Sequence, residues 1–197
     1  SRGRGDVYKR QALYFTKFIQ AYEKEGIKIE AVNIQNEPCS TQKYASCTWR
    51  PEDMAYFIGK FLGPKFEKEN IQTEIFFGTI NRDNPQYTKT ALDDPAASKY
   101  IKGVGFQWDG KGAIPTIHKE YPHLKMMHTE AECGNGSNDW GAAEHTWWQI
   151  SHYMRNGARV FTYWNMILDQ NGISPWGWKQ NSLITINTCL LYTSPSP

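Results

Sequence analysis

The sequence predicts an α/β fold, a (β/α)8 TIM-barrel fragment that covers about strands 4 to 8. Strand-like apolar runs alternate with helix-like segments along the chain, which is typical of a parallel α/β architecture. The ends of the predicted strands also recur at a regular distance: 93 residues separate Glu37 from Glu130, and 127 residues separate Glu37 from Trp164. A barrel of about 250 residues uses about 31 residues per unit, so these spacings correspond to three and four units.

Each element has its own local signal. Continuous apolar runs predict strands at residues 29–35, 73–80, 103–108, 124–129 and 159–168. Helical spacing of apolar residues, with glycine or proline at the boundaries, predicts helices at residues 14–25, 51–69, 113–120 and 142–156. A further helix is predicted near residues 94–100, after a polar loop. Five strands cannot close an eight-stranded barrel, so we expect three units to be missing upstream.

Both ends of the chain are expected to be foreign to the native protein. Residues 1–11 and 189–197 resemble translated sequencing-adapter read-through, and such segments are set aside before fold reasoning. The native part is then a partial barrel domain, residues 12–188. Because an incomplete barrel exposes strand edges and part of its core, the isolated fragment is expected to aggregate or fold poorly.

The composition excludes several classes of protein. The chain is 40% hydrophobic and 21% charged, as globular proteins are, and its net charge of +2 is too small to imply a nucleic-acid or membrane partner. No run approaches the roughly 18 apolar residues of an integral membrane segment. We find no G-x-S-x-G elbow, no HExxH pair and no glycine-rich nucleotide loop, and no cofactor or metal is expected. Cys39 and Cys47 flank one loop, and they could either form a disulfide or remain two free thiols.

Two glutamates at the ends of predicted strands indicate chemistry on a glycosidic bond. Glu37 ends an apolar run in residues 35–38 (QNEP), and Glu130 ends another in residues 128–131 (HTEA). Glycoside hydrolysis needs one carboxyl that protonates the leaving oxygen and a second that attacks or stabilises the anomeric carbon. Pro38 is expected to hold Glu37 in an extended conformation. Glu132 competes with Glu130, because two residues on it would share the same face of a strand.

Aromatic and amide side chains cluster at the same strand ends. Aromatics make up 14% of the chain, which fits either an aromatic core or a cleft in which sugar faces stack on Trp and Tyr. Four strand ends carry Asn-Glu, Gln-Trp, Thr-Glu and Trp-Asn pairs, on the barrel face where active sites form. A loop further on, residues 176–181 (WGWKQN), is a candidate wall of that cleft. The candidate substrate-binding residues are Asn36, Gln107, Trp108, Trp164, Asn165, Trp178 and Asn181.

With these residues in view, the chain resembles glycoside hydrolase family 30, which contains the lysosomal glucosylceramidase and microbial relatives. The resemblance rests on residues 32–38 (VNIQNEP), 61–64 (FLGP), 92–100 (LDDPAASKY), 105–108 (GFQW), 128–134 (HTEAECG) and 163–165 (YWN). It implies a barrel with a side β-domain, a retaining double displacement, a role in carbohydrate or sphingolipid metabolism, and a secreted or periplasmic location. The chain departs from the glucosylceramidase at Gln107 and Asp109, where that enzyme carries His and Tyr.

The resemblance also implies a role for each glutamate. Glu37 matches the acid/base at the end of strand 4, and Glu130 matches the nucleophile at the end of strand 7. Asn36 matches the asparagine that contacts the 2-hydroxyl, while Trp164 and Asn181 match residues of the sugar pocket. The expected substrate is a β-linked glycoside or glycan. Two alternatives stay open: an endo-β-1,6-glucanase or xylan-directed hydrolase of the same family, and a non-catalytic carbohydrate-binding homologue.

Overall fold

A computed structural model of the chain describes residues 3–189 and 192–195. Five parallel strands form its main sheet in sequential order: β1 (Ala31–Asn33), β2 (Glu74–Ile80), β3 (Ile101–Gln107), β4 (Lys125–Glu130) and β5 (Ala158–Phe161). The helices are α1 (Gly3–Lys24), α2 (Pro51–Phe57), α3 (Gly63–Lys68), α4 (Pro85–Leu92), α5 (Pro95–Ser98), α6 (Ile114–Glu120) and α7 (Trp140–Arg155). A π-helical turn, Ile58–Leu62, joins α2 to α3, and a 3-10 turn, Trp108–Gly112, follows β3.

Sequential parallel strands joined by helices form half of a (β/α)8 barrel, so the predicted fold class is confirmed. The main core lies between the sheet and the helices that cover its outer face, where Phe77, Val104 and Phe106 are fully buried. Tyr153 of α7 is also fully buried, and its hydroxyl donates to the carbonyl of Gln107 at 2.6 Å. This bond fixes the end of β3, where candidate site residues lie.

Three predictions differ from the structure by more than two residues. The first helix begins at Gly3 rather than residue 14, and Tyr8 is buried there against Trp49 and Phe57. The polar loop predicted after residue 80 contains α4, whose start is capped by Asn84 accepting from the amide of Gln86. The fifth strand ends at Phe161 instead of residue 168, because the chain leaves the sheet there.

Beyond β5 the chain builds a second sheet of three strands, in the order β6 (Ile167–Asp169), β7 (Ile184–Asn187) and β8 (Tyr192–Pro195). β6 and β7 are parallel, and β7 and β8 are antiparallel. Of the two ends predicted to be foreign, residues 1–2, 190–191 and 196–197 lie outside the described residues. Residues 3–11 begin α1 and residues 192–195 form β8, while the origin of both ends stays a prediction.

Candidate active site

The carboxyl ends of β1 to β4 meet at one edge of the sheet and carry most of the predicted site residues. Gln107 is the last residue of β3 and Glu130 the last residue of β4, and the two are paired across the strands. Glu37 and Asn36 lie in the segment that follows β1. The chain order of the strands therefore places two glutamates, an asparagine and a glutamine on the face where barrel enzymes hold their active sites.

Gln107 is the hub of the hydrogen bonds at this edge. Its Nε2 lies 2.6 Å from Oδ1 of Asn36, 2.8 Å from Oγ1 of Thr79 and 3.0 Å from Oε2 of Glu130. The hydroxyl of Thr79 in turn donates to Oδ1 of Asn36 at 3.2 Å. One buried amide thus ties the side chain beside Glu37 to the carboxyl of Glu130.

Glu37 is buried and is contacted by the loop that follows it. Its Oε2 accepts a hydrogen bond from Nε2 of Gln42 at 2.6 Å and a longer one from the hydroxyl of Tyr44 at 3.4 Å. The expectation that Pro38 holds Glu37 extended is wrong: its φ is +47°, in the left-handed region that non-glycine residues seldom occupy. A tight turn follows directly, in which the amide of Ser40 donates to the carbonyl of Glu37.

A cavity of about 820 Å³ opens in front of the two glutamates. Seven predicted site residues line it, namely Asn36, Glu37, Trp108, Glu130, Trp164, Asn165 and Trp178. A cis peptide bond joins Trp164 to Asn165, and Nδ2 of Asn165 donates to Oε1 of Gln180 at 3.0 Å. The wall combines carboxylates, amides and indole rings, the mixture that a site for a polar, flat-faced ligand needs.

Two predicted substrate-binding residues lie elsewhere. Gln107 is completely buried behind the cavity wall, where it holds Asn36 and Glu130. Asn181 is buried beneath the loop after β4, and its Oδ1 accepts hydrogen bonds from the amides of Gly136 and Asn138. Both amides therefore shape the site from behind, and neither side chain is part of the wall.

The charge of Glu37 affects the ionisation of its neighbours Glu130 and Tyr44. Burial raises the pKa of Glu130 to about 7, and the negative charge of Glu37 contributes to the shift. Burial together with the charges of Glu37 and Glu130 also raises the pKa of Tyr44. Glu37, Glu130 and Tyr44 therefore lie close enough to form one electrostatic unit.

Glu132, the competitor of Glu130, also lines the cavity but has different partners. The strand ends at Glu130, and the carboxylate of Glu132 forms an ion pair with Nζ of Lys111 at 2.8 Å and lies 2.5 Å from Nε2 of His145. Although its partial burial acts in the opposite direction, these two partners lower the pKa of Glu132. Lys111 also donates to the carbonyl of Trp108. Glu132 thus fastens α7 to the turn that carries Trp108.

Sequence reasoning missed Gln42 and Tyr44 of the cavity wall, and within the predicted loop 176–181 it did not single out Gln180. Gln42 and Tyr44 lie in the loop between β1 and α2, and Gln180 in the loop between β6 and β7. Neither loop has the apolar periodicity that would reveal which side chains face the cavity. Proximity to Glu37 in the sequence was the one available signal for Gln42 and Tyr44.

The described residues contain no group of three or more His, Cys, Asp or Glu side chains that could hold a metal ion. Within the same residues, no helix combines the length and the apolar character that crossing a membrane requires. Cys39 and Cys47, for which a disulfide and free thiols both stayed open, are free thiols in the structure.

Comparisons with known proteins place the chain among glycosidases. The profile of the Glycosyl hydrolase family 30 TIM-barrel domain matches residues 2–191. The lysosomal acid glucosylceramidase of Mus musculus is 26% identical over 87% of this chain and 37% of its own length. An endo-1,6-β-D-glucanase of Aspergillus fumigatus is 29% identical over 79% of this chain and 32% of its own length.

A solved structure of an endo-β1,6-glucanase superimposes with a TM-score of 0.84 and 25% identity, covering 96% of this chain and 45% of that one. The chain thus spans about a third of the length of the curated relatives it matches. The family profile covers almost the whole chain, and the half-barrel superimposes on a family structure. The chain therefore belongs to glycoside hydrolase family 30.

Proposed function

We propose that this chain is the catalytic segment of a retaining β-glycosidase, with Glu37 as the acid/base and Glu130 as the nucleophile. The observation that carries the proposal is the pair of carboxyls that line one aromatic-walled cavity, where burial and the charge of Glu37 raise the pKa of Glu130. Two carboxyls in one cavity can supply the acid and the nucleophile that double displacement requires. The proposed substrate is a β-linked glucoside or glycan, in keeping with the glucosylceramidase and glucanase relatives.

In the first step the carboxylate of Glu130 attacks the anomeric carbon while Glu37 gives its proton to the leaving oxygen. In the second step Glu37 removes a proton from water, which displaces the sugar from Glu130. Gln107 donates to Oε2 of Glu130 and so favours its ionised form. Asn36, held by the same amide, is positioned to meet a hydroxyl of the sugar.

In the free chain the raised pKa belongs to Glu130, whereas the first step needs the proton on Glu37. Attack therefore requires Glu130 to lose its proton, and the raised pKa of this carboxyl places that loss near pH 7. In the proposed reacting complex Glu130 is ionised and the proton is on Glu37, against the leaving oxygen.

Glu130→Gln and Glu37→Gln in a complete catalytic domain that carries this segment test the roles. Both variants should lose at least about a thousandfold in kcat on an unactivated β-glucoside, because each removes a group that acts on the reacting atoms. Glu144→Gln, an exposed carboxylate on α7, is the matched control and should keep wild-type rates. NMR of the first product anomer should show retained β-configuration. A wild-type rate in Glu130→Gln, or an inverted product, would contradict the proposal.

We further propose that the 197-residue chain is inactive by itself. The sheet ends at β1 and β5, and within the described residues each of these strands pairs on one side only. Aromatic side chains on α1 and α7 are also exposed to solvent: Tyr14 is 66% exposed and Trp147 is 69% exposed. Surfaces of this kind promote association with other chains. Size-exclusion chromatography and a glycosidase assay of the isolated chain check this, and an active monomer would refute it.

The relatives leave open which β-glycan is the substrate. Panels of β-1,6-glucan, xylan and glucosylceramide, each assayed with the complete domain, separate an endo-β-1,6-glucanase from a xylan-directed hydrolase and a glucosylceramidase. Binding of any of them without turnover by the wild-type domain would support a non-catalytic carbohydrate-binding protein and contradict the proposed activity.

A further inference from the structure

Three aromatic rings from two distant loops meet on one wall of the cavity. The ring of Tyr44 lies 5.5 Å from the ring of Trp176 and 6.4 Å from the ring of Trp178, measured between centroids. Tyr44 belongs to the loop after β1, and the two tryptophans belong to the loop between β6 and β7. We refer to Tyr44, Trp176 and Trp178 as the ring wall.

The two tryptophans of the ring wall are only partly buried by the rest of the protein. Trp176 is 46% exposed and Trp178 is 38% exposed, although both line the cavity. An indole with that much free surface inside a cavity can bury more area when a ligand arrives. The ring wall therefore has free aromatic surface for a ligand.

The position of Tyr44 shows which side of the scissile bond the ring wall faces. Its hydroxyl contacts Oε2 of Glu37, the same oxygen that Gln42 contacts. A general acid stands next to the leaving oxygen, so the side chains packed around it face the leaving group. Gln107 and Asn36 instead connect to Glu130, on the side of the sugar that becomes attached to the enzyme.

We infer that the ring wall binds a sugar ring on the leaving-group side, so that the substrate is a β-linked glycan with sugars on both sides of the cleaved bond. The inference rests on the proposed function, and it narrows the substrate class from β-glucosides in general to oligo- and polysaccharides. A sugar fits the wall because it presents a flat face of C–H groups to the rings and hydroxyls to the amides of Gln42 and Gln180.

Three substrates of the complete catalytic domain separate the possibilities. β-Glucosyl fluoride has no ring on the leaving side, a β-linked disaccharide has a sugar there, and octyl β-glucoside has an apolar chain. For Trp176→Ala and Trp178→Ala, the fall in kcat/KM should be at least about tenfold larger on the disaccharide than on the fluoride, because the lost stacking applies to one of them only. Trp140→Ala, an exposed tryptophan outside the cavity, serves as the control.

The changes in kcat/KM on the three substrates decide whether the inference holds. An equal fall on all three substrates would overturn the inference, because the rings would then support the fold or the attached sugar. A larger fall on octyl glucoside than on the disaccharide would also overturn it and would assign the wall to an apolar leaving group. If the wild-type domain hydrolyses none of the three, the proposed function fails; if it hydrolyses them and the tryptophan variants match Trp140→Ala, only the inference fails.

Discussion

Glu130→Gln should stabilise the folded chain at alkaline pH and leave its stability at acid pH unchanged. The structure raises the pKa of the Glu130 carboxyl from an ordinary value of 4.5 to about 7 through burial and the charge of Glu37. A carboxyl with a raised pKa holds its proton more tightly when the chain is folded. Folding is therefore penalised as the pH rises from about 4.5 to about 7, and the penalty is constant above that range.

The magnitude follows from the two pKa values. Each tenfold change in proton affinity is worth about 1.36 kcal/mol, so the change from 4.5 to about 7 corresponds to about 3.4 kcal/mol. Glu130 is partly exposed, and solvent screens part of this interaction, so we expect about 2 kcal/mol. Glutamine has the same shape, keeps an oxygen that accepts from Gln107, and carries no charge at any pH.

Urea denaturation followed by tryptophan fluorescence measures this at a series of pH values from 4 to 8. The free energy of unfolding of Glu130→Gln should exceed that of the wild-type chain by about 2 kcal/mol at pH 8, and the difference should vanish near pH 4. The isolated chain is suitable where it unfolds cooperatively, and otherwise the complete catalytic domain takes its place.

Glu132→Gln is the matched control, since it makes the same chemical change two residues away with the opposite expected sign. Its partners Lys111 and His145 lower the pKa of Glu132, so its charge stabilises the fold above the unfolded pKa and that stability is lost as the pH falls. Glu132→Gln should therefore destabilise the chain at pH 7 and 8, but not well below pH 4. Equal effects of the two variants, or a Glu130→Gln variant that is less stable at pH 8, would refute the electrostatic reasoning.

Three further predictions concern the buried amide of Gln107, a glycine of the main sheet and the proton of Glu130. Gln107→Ala should lower the free energy of unfolding by about 1 to 3 kcal/mol in urea denaturation, because its buried acceptors lose their donor. Gly105→Ala should cost about 1 to 3 kcal/mol in the same assay, since its Cβ would overlap Oδ1 of Asn33, whereas Gly5→Ala meets nothing and should not destabilise. In the complete domain, kcat/KM should rise as the pH rises through about 7, because attack needs the ionised carboxylate of Glu130; a rate that is already maximal at pH 5 would contradict this.

The strands were predictable because buried parallel strands read as continuous apolar runs. The same rule explains the error at β5. Residues 159–168 form one largely apolar stretch, but hydrophobicity does not reveal that the chain leaves one sheet at Phe161 and enters another at Ile167. The start of α1 was missed because residues 1–11 were set aside as foreign; their basic, polar composition also gives no apolar pattern, although Tyr8 is buried.

The parts of the site that belong to strand ends were also visible in the sequence. Glutamate or tryptophan at the end of an apolar run is unusual enough to attract notice, and Glu37, Glu130, Trp108 and Trp164 all line the cavity. Gln42 and Tyr44 were not visible, because their contact with Glu37 depends on how a polar loop turns back over the strand end. The positive φ of Glu37 was not visible either, because the following proline favours an extended conformation there.

The choice between Glu130 and Glu132 shows what the structure adds to the sequence. Sequence spacing puts both carboxyls at the same strand end, and residue type does not separate them. Their partners do: Glu130 has the amide of Gln107 and the negative charge of Glu37, while Glu132 has Lys111 and His145. Lys111 and His145 favour the ionised form of Glu132, whereas burial and the charge of Glu37 keep the proton on Glu130 up to about pH 7. We therefore assign the proposed chemistry at this edge of the sheet to Glu37 and Glu130 rather than to Glu132.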